Sequence, residues 1–309
     1  MKIAYLGPRG SFAEAALKAS GYLDTVDDST AIPAASVLSA LDLVRAGEVD
    51  AALVPIENSV EGSVSVTLDE LANGKRLVIA AEVVLPVEFA LLGRPGATLD
   101  SIATVTTHPH AQAQVRRWMD ANLPNASFIP AMSTAAAAAS VISEPGLFDA
   151  AVAQLSAAAI YGLDVLATGI GDNPDASTRF VIVRLPGSIP APTGADKTTL
   201  SLFMRENHPG ALMEILTEFT VRGIDLTRLE SRPTKKSLGD YYFSVDLEGH
   251  VDDLRVSEAL MGLHRVCADV RFLGSYPRHD GREANVREGV TDKDFESALV
   301  WLNKLKGNA

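Results

Sequence analysis

Short apolar segments alternate with amphipathic ones through the first 185 residues of the chain. The apolar segments are typical of buried strands, and they cover residues 3–6, 51–54, 78–84, 103–106, 127–129, 150–153 and 180–185. Hydroxyl residues mark helix starts: Ser11 with Glu14 forms a capping-box pattern, and Ser36 and Thr134 are N-cap candidates. This alternation predicts an α/β fold with mostly parallel strand pairing.

The order of elements changes after a segment rich in Pro and Gly at residues 186–196, which we interpret as an interdomain linker. Between residues 197 and 276 the pattern predicts the order βαββαβ, the ferredoxin-like split motif. The predicted strands and helices there cover residues 198–205, 210–222, 226–232, 241–247, 251–263 and 266–274.

Residues 277–309 form a polar loop and a short helix, on which Phe295, Leu299, Leu302 and Leu305 share one face. We expect that face to pack on a domain or on a partner subunit. The first 185 residues are expected to form two lobes, residues 1–85 with 166–185 and residues 86–165. A cleft between two lobes is the usual place for a ligand.

Composition narrows the classes of function. The chain has 309 residues, which favours about two domains. Its formal net charge of −12 argues against a nucleic-acid partner, which needs clustered Lys and Arg. The single cysteine, Cys267, excludes an intrachain disulfide and suits a reducing compartment. The first apolar segment ends at Gly7, too early for a secretion signal, and no apolar run reaches the ~18–20 residues of a membrane helix. We therefore expect a soluble cytoplasmic protein without a membrane partner.

The stretch Ser177-Thr178-Arg179-Phe180 joins a Gly/Asn/Pro-rich loop to a buried strand. It brings a hydroxyl proton donor and a fixed cation to the edge of a sheet, which suits a small anionic ring substrate. The same residues would also suit a polar strand entry with a surface Arg, because most loops have no catalytic role.

Four other segments carry groups for an anion, each with a purely structural alternative. Residues 7–12 open the first helix, where free N–H groups bind anions, or form only a capped turn. Residues 55–63 hold an amide, hydroxyls and carboxylates, or form a solvated loop. Residues 106–114 and 131–135 place hydroxyls at helix starts, where capping alone would also explain them.

A metal centre is not predicted. The His-x-His at His108 and His110 lacks further ligands at workable spacing, and no HExxH or Cys pair accompanies it. The sequence also lacks a P-loop, a Gly-x-Ser-x-Gly motif and a triad spacing, so neither nucleotide use nor covalent catalysis is indicated.

Taken together, the segments YLGPRGSF, PIENSVEGSV, THPHAQAQ and STRF occur in an order and spacing that resemble the prephenate dehydratase family. The family more often carries Ser at Thr107 and Gln at His110. The C-terminal module resembles an ACT domain of the aromatic-amino-acid type, through the segments NHPGAL at 207–212 and ESRP at 230–233. The resemblance covers residues 1 to about 276, and the tail lies outside the family pattern.

This resemblance implies a type II periplasmic-binding-protein-like catalytic domain at residues 1–185 and an ACT regulatory domain at residues 197–276. It implies conversion of prephenate to phenylpyruvate in phenylalanine biosynthesis, with no cofactor, in a dimer or tetramer regulated by phenylalanine. Thr178 would be the catalytic proton donor. The implied substrate-binding residues are Arg179, Phe180, Asn58, Ser59, Thr107, Gln114, Ser133 and Thr134. The implied phenylalanine-binding residues are Asn207, His208, Pro209, Gly210, Ala211, Leu212, Glu230, Ser231 and Arg232.

Two other functions stay open at this point. One is an arogenate dehydratase, which acts on the amino-group analogue of prephenate. The other is a small-anion binding protein that uses the same fold without chemistry.

Overall fold

A computed structural model describes residues 1–235, 237 and 239–307. These residues form two compact units. The first unit contains residues 1–67 and 83–181, and the second contains residues 68–82 and 182–309. The segment 68–82 therefore groups with the C-terminal residues.

One sheet begins the fold, with strand order β2-β1-β3-β11-β5 and the short β4 paired to β3. Strand β1 pairs in parallel with both β2 and β3. The strands are β1 (Ile3–Leu6), β2 (Ala31–Ala34), β3 (Ala51–Asn58), β4 (Gly62–Ser63), β5 (Val78–Pro86) and β11 (Ser177–Arg184). Three helices accompany them: α1 (Phe12–Ala19), α2 (Val37–Ala46) and α3 (Ser65–Asn73).

A five-stranded sheet of the first unit has the order β10-β6-β9-β7-β8 and is mixed. Strand β7 pairs in parallel with β8 and β9, whereas β6 is antiparallel to β9 and β10. Its strands are β6 (Ala90–Gly93), β7 (Thr104–Thr107), β8 (Ser127–Pro130), β9 (Ala150–Ala153) and β10 (Asp164–Thr168). Its helices are α4 (Pro109–Gln114), α5 (Arg116–Asn122), α6 (Thr134–Ser143) and α7 (Ser156–Tyr161).

The sequence patterns missed the strands β2, β4, β6 and β10. Two of these four, β2 and β10, lie at the ends of the two strand orders, where half-exposed residues blur the apolar pattern. One helix cap and one capping box also differ from prediction. Ser133, not Thr134, is the N-cap of α6, because its side chain accepts the N–H of Ala136. Ser11 caps α1 as predicted, but Glu14 accepts the N–H of Gly10 and so does not close the box on Ser11.

The C-terminal module has the predicted βαββαβ order in an antiparallel sheet, β13-β14-β12-β15. Its elements are β12 (Asp196–Met204), α8 (Ala211–Thr220), β13 (Leu226–Pro233), β14 (Tyr241–Glu248), α9 (Leu254–Val266) and β15 (Cys267–Pro277). One sheet face packs its apolar side chains, including Leu200, Leu202 and Val245, against residues of α8 and α9 such as Phe219 and Leu263.

Helix α10 (Asp292–Leu305) follows the polar loop of the tail. It carries five large apolar side chains that are at least 39% exposed: Leu299, Val300, Trp301, Leu302 and Leu305. The predicted apolar face is therefore largely uncovered in a single chain. Among the described residues, no helix is both long enough and apolar enough to cross a membrane.

Candidate active site

The Thr178 hydroxyl lies where β3 and β11 meet in the first unit. The Asn58 side chain, at the end of β3, donates from Nδ2 to Thr178 Oγ1 over 2.8 Å. Thr178 is 8% exposed and lines a cavity. Because the hydroxyl oxygen already accepts from Asn58, its own proton is directed away from that amide. The arrangement orients Thr178 as a donor.

The turn after β3 is held in shape by the same asparagine. Asn58 Oδ1 accepts the N–H groups of Val60 (2.8 Å) and Glu61 (3.0 Å), as an Asx turn does. Ser59 joins this turn to β11: its N–H donates to the carbonyl of Ser177, and its Oγ accepts the N–H of Ser177, both over 2.9 Å. The turn that follows β3 is therefore bonded to Ser177, the residue before Thr178.

The cavity beside Thr178 has a volume of about 700 Å³, within the ~300–1,000 Å³ typical of small-molecule sites. Four helices present their N-terminal residues to it. These residues are Ser11 and Phe12 of α1, Ser36 and Val37 of α2, His108 and His110 of α4, and Ser133 and Thr134 of α6. Helix N-termini carry unpaired N–H groups and a partial positive charge. The cavity is thus suited to a small molecule with negative charge.

A cluster of His108, His110, Glu61 and Gln114 forms one part of the cavity lining. The His108 ring accepts the N–H of His110 at Nδ1, so the proton of the neutral ring is on Nε2. Burial, with a smaller effect of His110, lowers the pKa of His108, which favours that neutral form. Gln114 Nε2 donates to Glu61 Oε1 over 3.3 Å, while buried Gln114 Oε1 has no partner among the described residues.

Histidine and carboxylate side chains do not combine into a metal centre here. Among the described residues, no group of three His, Cys, Asp or Glu side chains is placed to hold a metal ion. The lining of the cavity offers hydrogen-bond donors and helix N-termini.

Five of the residues implied as substrate-binding line this cavity together with Thr178: Asn58, Gln114, Ser133, Thr134 and Phe180. The other three do not line it. Ser59 contributes through the turn. Thr107 is buried, donates to the carbonyl of Val152 over 2.6 Å and lines a different cavity, of about 500 Å³. Arg179 lies between Thr178 and Phe180 on a strand whose side chains alternate, and its Nη1 is 3.5 Å from Glu57 Oε2.

Two lining aromatics, Phe12 and Phe89, were not proposed from the sequence. Their rings meet edge to face with centroids 5.6 Å apart, and they give the cavity an apolar wall. Phe12 is the last residue of the family segment YLGPRGSF, so the sequence motif already contains it. Phe89 precedes β6, a strand the patterns missed, so no sequence signal marked it.

A second cavity, of about 250 Å³, lies within the C-terminal module. We call it the regulatory cavity. Six of the residues implied as phenylalanine-binding line it: Asn207, His208, Gly210, Ala211, Leu212 and Ser231. Gly210 is the N-cap of α8 and has a φ of 98°, a left-handed conformation that favours glycine. Helix α8 consequently presents its N-terminus to this cavity.

Pro209, Glu230 and Arg232 are not among the lining residues of the regulatory cavity. Glu230 Oε1 accepts from Arg232 Nη1 over 3.2 Å. Arg232 also forms a bidentate pair with Asp69, whose oxygens are each 3.0 Å from Nη2. These two side chains are therefore engaged outside the cavity.

Fold and site together define a class: a two-lobed α/β small-molecule enzyme fold joined to a ferredoxin-like regulatory module. Comparison with known proteins specifies the family. The sequence model described as prephenate dehydratase matches residues 3–187, and the model described as ACT domain matches residues 198–265. The chain belongs to the prephenate dehydratase family, whose members are hydro-lyases.

Individual relatives agree with that assignment. The prephenate dehydratase of Mycolicibacterium vanbaalenii is 50% identical over 314 residues, covering 98% of each chain. A crystal structure of prephenate dehydratase from Arthrobacter aurescens in complex with L-Phe has a TM-score of 0.93 and 49% identity, covering 99% of this chain and all of that one. A structure described as a quorum-quenching acylase has a TM-score of 0.80 and 32% identity, covering 90% of this chain and 98% of that one.

Proposed function

We propose that this protein converts prephenate to phenylpyruvate, with loss of water and carbon dioxide, in the cavity beside Thr178. The observation that carries the proposal is an oriented hydroxyl facing a cavity to which four helices present their N-termini. Prephenate has two carboxylates and a ring hydroxyl, so it needs anion-binding groups and one proton donor. The family assignment supports the same activity.

The proposed step breaks two bonds of the substrate. The ring carbon–oxygen bond breaks as Thr178 Oγ1 gives its proton to the leaving hydroxyl, which departs as water, and Thr178 Oγ1 then takes a proton from solvent. The bond to the ring carboxylate breaks as carbon dioxide leaves, and its electron pair completes the aromatic ring. A hydroxyl is a weak acid at neutral pH, but aromatisation supplies much of the driving force. Donation from Asn58 to Thr178 Oγ1 fixes the rotamer and stabilises the oxygen as negative charge develops.

The substrate carboxylates would bind at helix N-termini, with Ser133 and Thr134 of α6 as the main candidates. Gln114 would act through its unpaired oxygen on the substrate hydroxyl, and Phe180 through apolar contact with the ring. Ser59 would act by holding the turn, and Thr107 by fixing the end of β7. Arg179 is kept as a candidate carboxylate ligand, which requires its guanidinium to exchange Glu57 for the substrate.

Regulation by phenylalanine is the second part of the proposal. The regulatory cavity has apolar walls from Leu212 and Phe243 and, at Gly210, a helix N-terminus for a carboxylate. An amino acid with an aromatic side chain needs both features. The Arthrobacter relative was crystallised with L-Phe, which supports the same effector here.

We also propose that the protein self-associates as a dimer or tetramer in the cytoplasm. The exposed apolar side chains of α10 support self-association, because a contiguous apolar face is typical of an interface. Changing Leu299 and Leu302 to Asp should lower the sedimentation coefficient if α10 is part of that interface. A single buried cysteine suits a reducing compartment.

The deciding experiment measures turnover of prephenate and of arogenate with purified protein, following phenylpyruvate and phenylalanine. Selective turnover of prephenate supports the proposal. Preference for arogenate assigns the chain to the amino-group analogue instead, and tight binding of either compound without turnover assigns it to a binding function.

A further inference from the structure

Within the second unit, Asp69 of α3 accepts hydrogen bonds from three side chains of the ACT module. Arg232 Nη2 reaches both carboxylate oxygens over 3.0 Å, Tyr242 Oη donates over 3.0 Å, and Lys235 Nζ lies 2.7 Å away. Asp69 is 8% exposed. Burial raises the pKa of its carboxyl, but hydrogen bonds from Lys235, Arg232 and Tyr242 outweigh burial, so Asp69 is ionised at neutral pH.

The strands that hold Asp69 also line the regulatory cavity, on their other face. In the register of β13 and β14, Ser231 pairs with Phe243 and Arg232 pairs with Tyr242. Ser231 and Phe243 line the regulatory cavity. Because side chains alternate along a strand, Arg232 and Tyr242 point to the opposite face and contact Asp69. A ligand that moves the backbone of this strand pair at Ser231 or Phe243 would therefore move the partners of Asp69 as well.

The N-terminal turn of helix α3 is hydrogen-bonded to β3, the strand that carries Asn58. Thr67, two residues before Asp69, is fully buried and donates from Oγ1 to the carbonyl of Pro55 over 2.6 Å. Pro55 belongs to β3, which ends at Asn58. The helix also follows the turn directly, since β4 ends at Ser63 and α3 begins at Ser65.

The C-terminal end of α3 is held by the same module. Arg271 Nη1 donates to the carbonyl of Ala72 over 2.7 Å, and its Nη2 donates to the carbonyl of Gly74. Ala72 and Asn73 line a third cavity, which shares Met204, Asn207 and Tyr241 with the regulatory cavity. Helix α3 has nine residues and is hydrogen-bonded near both ends, at Thr67 and at Ala72, so we treat it as one rigid element.

We propose that Asp69 is a positioning residue that couples the regulatory cavity to the Asn58–Thr178 pair. A ligand in the regulatory cavity shifts β13 and β14 at Arg232 and Tyr242. Because both side chains bond to Asp69, α3 shifts with them. Thr67 and the turn after β3 transmit this displacement to Asn58. The proposal rests on the proposed function, since it needs phenylalanine as the effector and Thr178 as the donor.

The test compares wild-type protein with Asp69→Asn, which keeps the size of the side chain but removes its charge and one of its two acceptor oxygens. Phenylalanine affinity is measured by calorimetry with and without phenylpyruvate, and kcat/KM for prephenate is measured with and without phenylalanine. Coupling makes two ligands change each other's affinity reciprocally, typically by about 5–150-fold. In Asp69→Asn we expect phenylalanine still to bind. The ratio of its affinities with and without phenylpyruvate should fall to within about twofold of one, and so should the ratio of kcat/KM values with and without phenylalanine.

Asp42→Asn is the matched control. Asp42 is also a helical Asp that pairs with an Arg, Arg45, but it lies on α2 and its side chain is 56% exposed. It should keep the wild-type ratios. Tyr242→Phe removes only the hydroxyl that donates to Asp69 and provides a milder variant should Asp69→Asn unfold. It should reduce the ratios in the same direction.

Two results would overturn the inference: wild-type ratios in Asp69→Asn and Tyr242→Phe, or loss of phenylalanine binding together with the coupling, which would make Asp69 part of the binding site only. Failure of the proposed function looks different, because wild-type protein would then lack turnover of prephenate or any response to phenylalanine.

Discussion

Replacing Thr178 by Val tests the central chemical claim. The substitution keeps the shape of a nearly buried, β-branched side chain and removes the one hydroxyl oriented by Asn58. A positioned proton donor contributes about 10²–10⁴-fold to a rate, which corresponds to about 2.7–5.4 kcal/mol of the activation barrier. We expect kcat to fall within that range while KM changes little, because the proposed binding sites of the prephenate carboxylates are helix N-termini and not Thr178.

Folding stability should change much less than turnover. The Asn58–Thr178 hydrogen bond contributes about 0.5–1.5 kcal/mol, and Val restores apolar contacts in its place. Thermal unfolding measured beside the phenylpyruvate assay separates the two effects. Thr106→Val is the matched control: Thr106 is also a buried strand threonine of the first unit, and its Oγ1 has no partner among the described residues. It should retain wild-type kcat and lose no stability.

Thr178→Ser should recover most of the lost activity, since it restores the hydroxyl. The reasoning is refuted if Thr178→Val folds and keeps kcat within about threefold of wild type, far below the range expected for an acid catalyst. It is equally refuted if Thr178→Ser is as slow as Thr178→Val, since shape and not the hydroxyl would then matter.

Three further predictions use other parts of the molecule. If the Arg179 guanidinium exchanges Glu57 for the substrate, Arg179→Lys should raise KM for prephenate about 10–100-fold, the equivalent of about 1.5–3 kcal/mol for a bond to a charged group; an unchanged KM would show that Arg179 does not bind the substrate. Gly210→Val should weaken phenylalanine binding in calorimetry and leave kcat/KM without phenylalanine unchanged, because Val at a φ of 98° costs roughly 1–3 kcal/mol. Gly187→Val, where φ is ordinary and no atom lies within 4 Å of the new Cβ, is its control. Hydrogen bonding to Arg278 lowers the pKa of Asp280 from 3.8 to about 2, so its stabilising effect is complete above pH 3.8 and lost as the pH falls toward 2. Asp280→Asn should therefore flatten the decline of Tm between those pH values, and a decline as steep as wild type would contradict this.

Local patterns predicted most of the elements correctly because they depend on neighbours in the chain. The strands β1, β7 and β9, the cap at Ser11 and the βαββαβ order of the second module follow from apolar periodicity and hydroxyl placement. The family motifs also marked Asn58 and Thr178 as candidates. Neither pattern revealed that they form one hydrogen-bonded pair, because 120 residues separate them.

Side chains along β11 point alternately to the two faces of the strand, and the sequence motif does not show which face each residue occupies. Thr178, Arg179 and Phe180 are adjacent in the sequence, and the motif placed all three in one site, Thr178 as proton donor and the other two as substrate-binding residues. A strand sends neighbouring side chains to opposite faces, so Thr178 and Phe180 line the cavity while Arg179 lies beside Glu57. The same rule separates Ser231, in the regulatory cavity, from Arg232, on Asp69.

The sequence by itself determined the class of fold, the family and the residue types available for an anionic substrate. Tertiary structure alone decided that four helix N-termini surround one cavity and that Asp69 is the shared acceptor for Arg232, Tyr242 and Lys235. The physical reason is that periodicity and capping act over a few residues, whereas these contacts join residues 163 and 173 positions apart. Only the packing of sheets and helices brings such groups within hydrogen-bond distance.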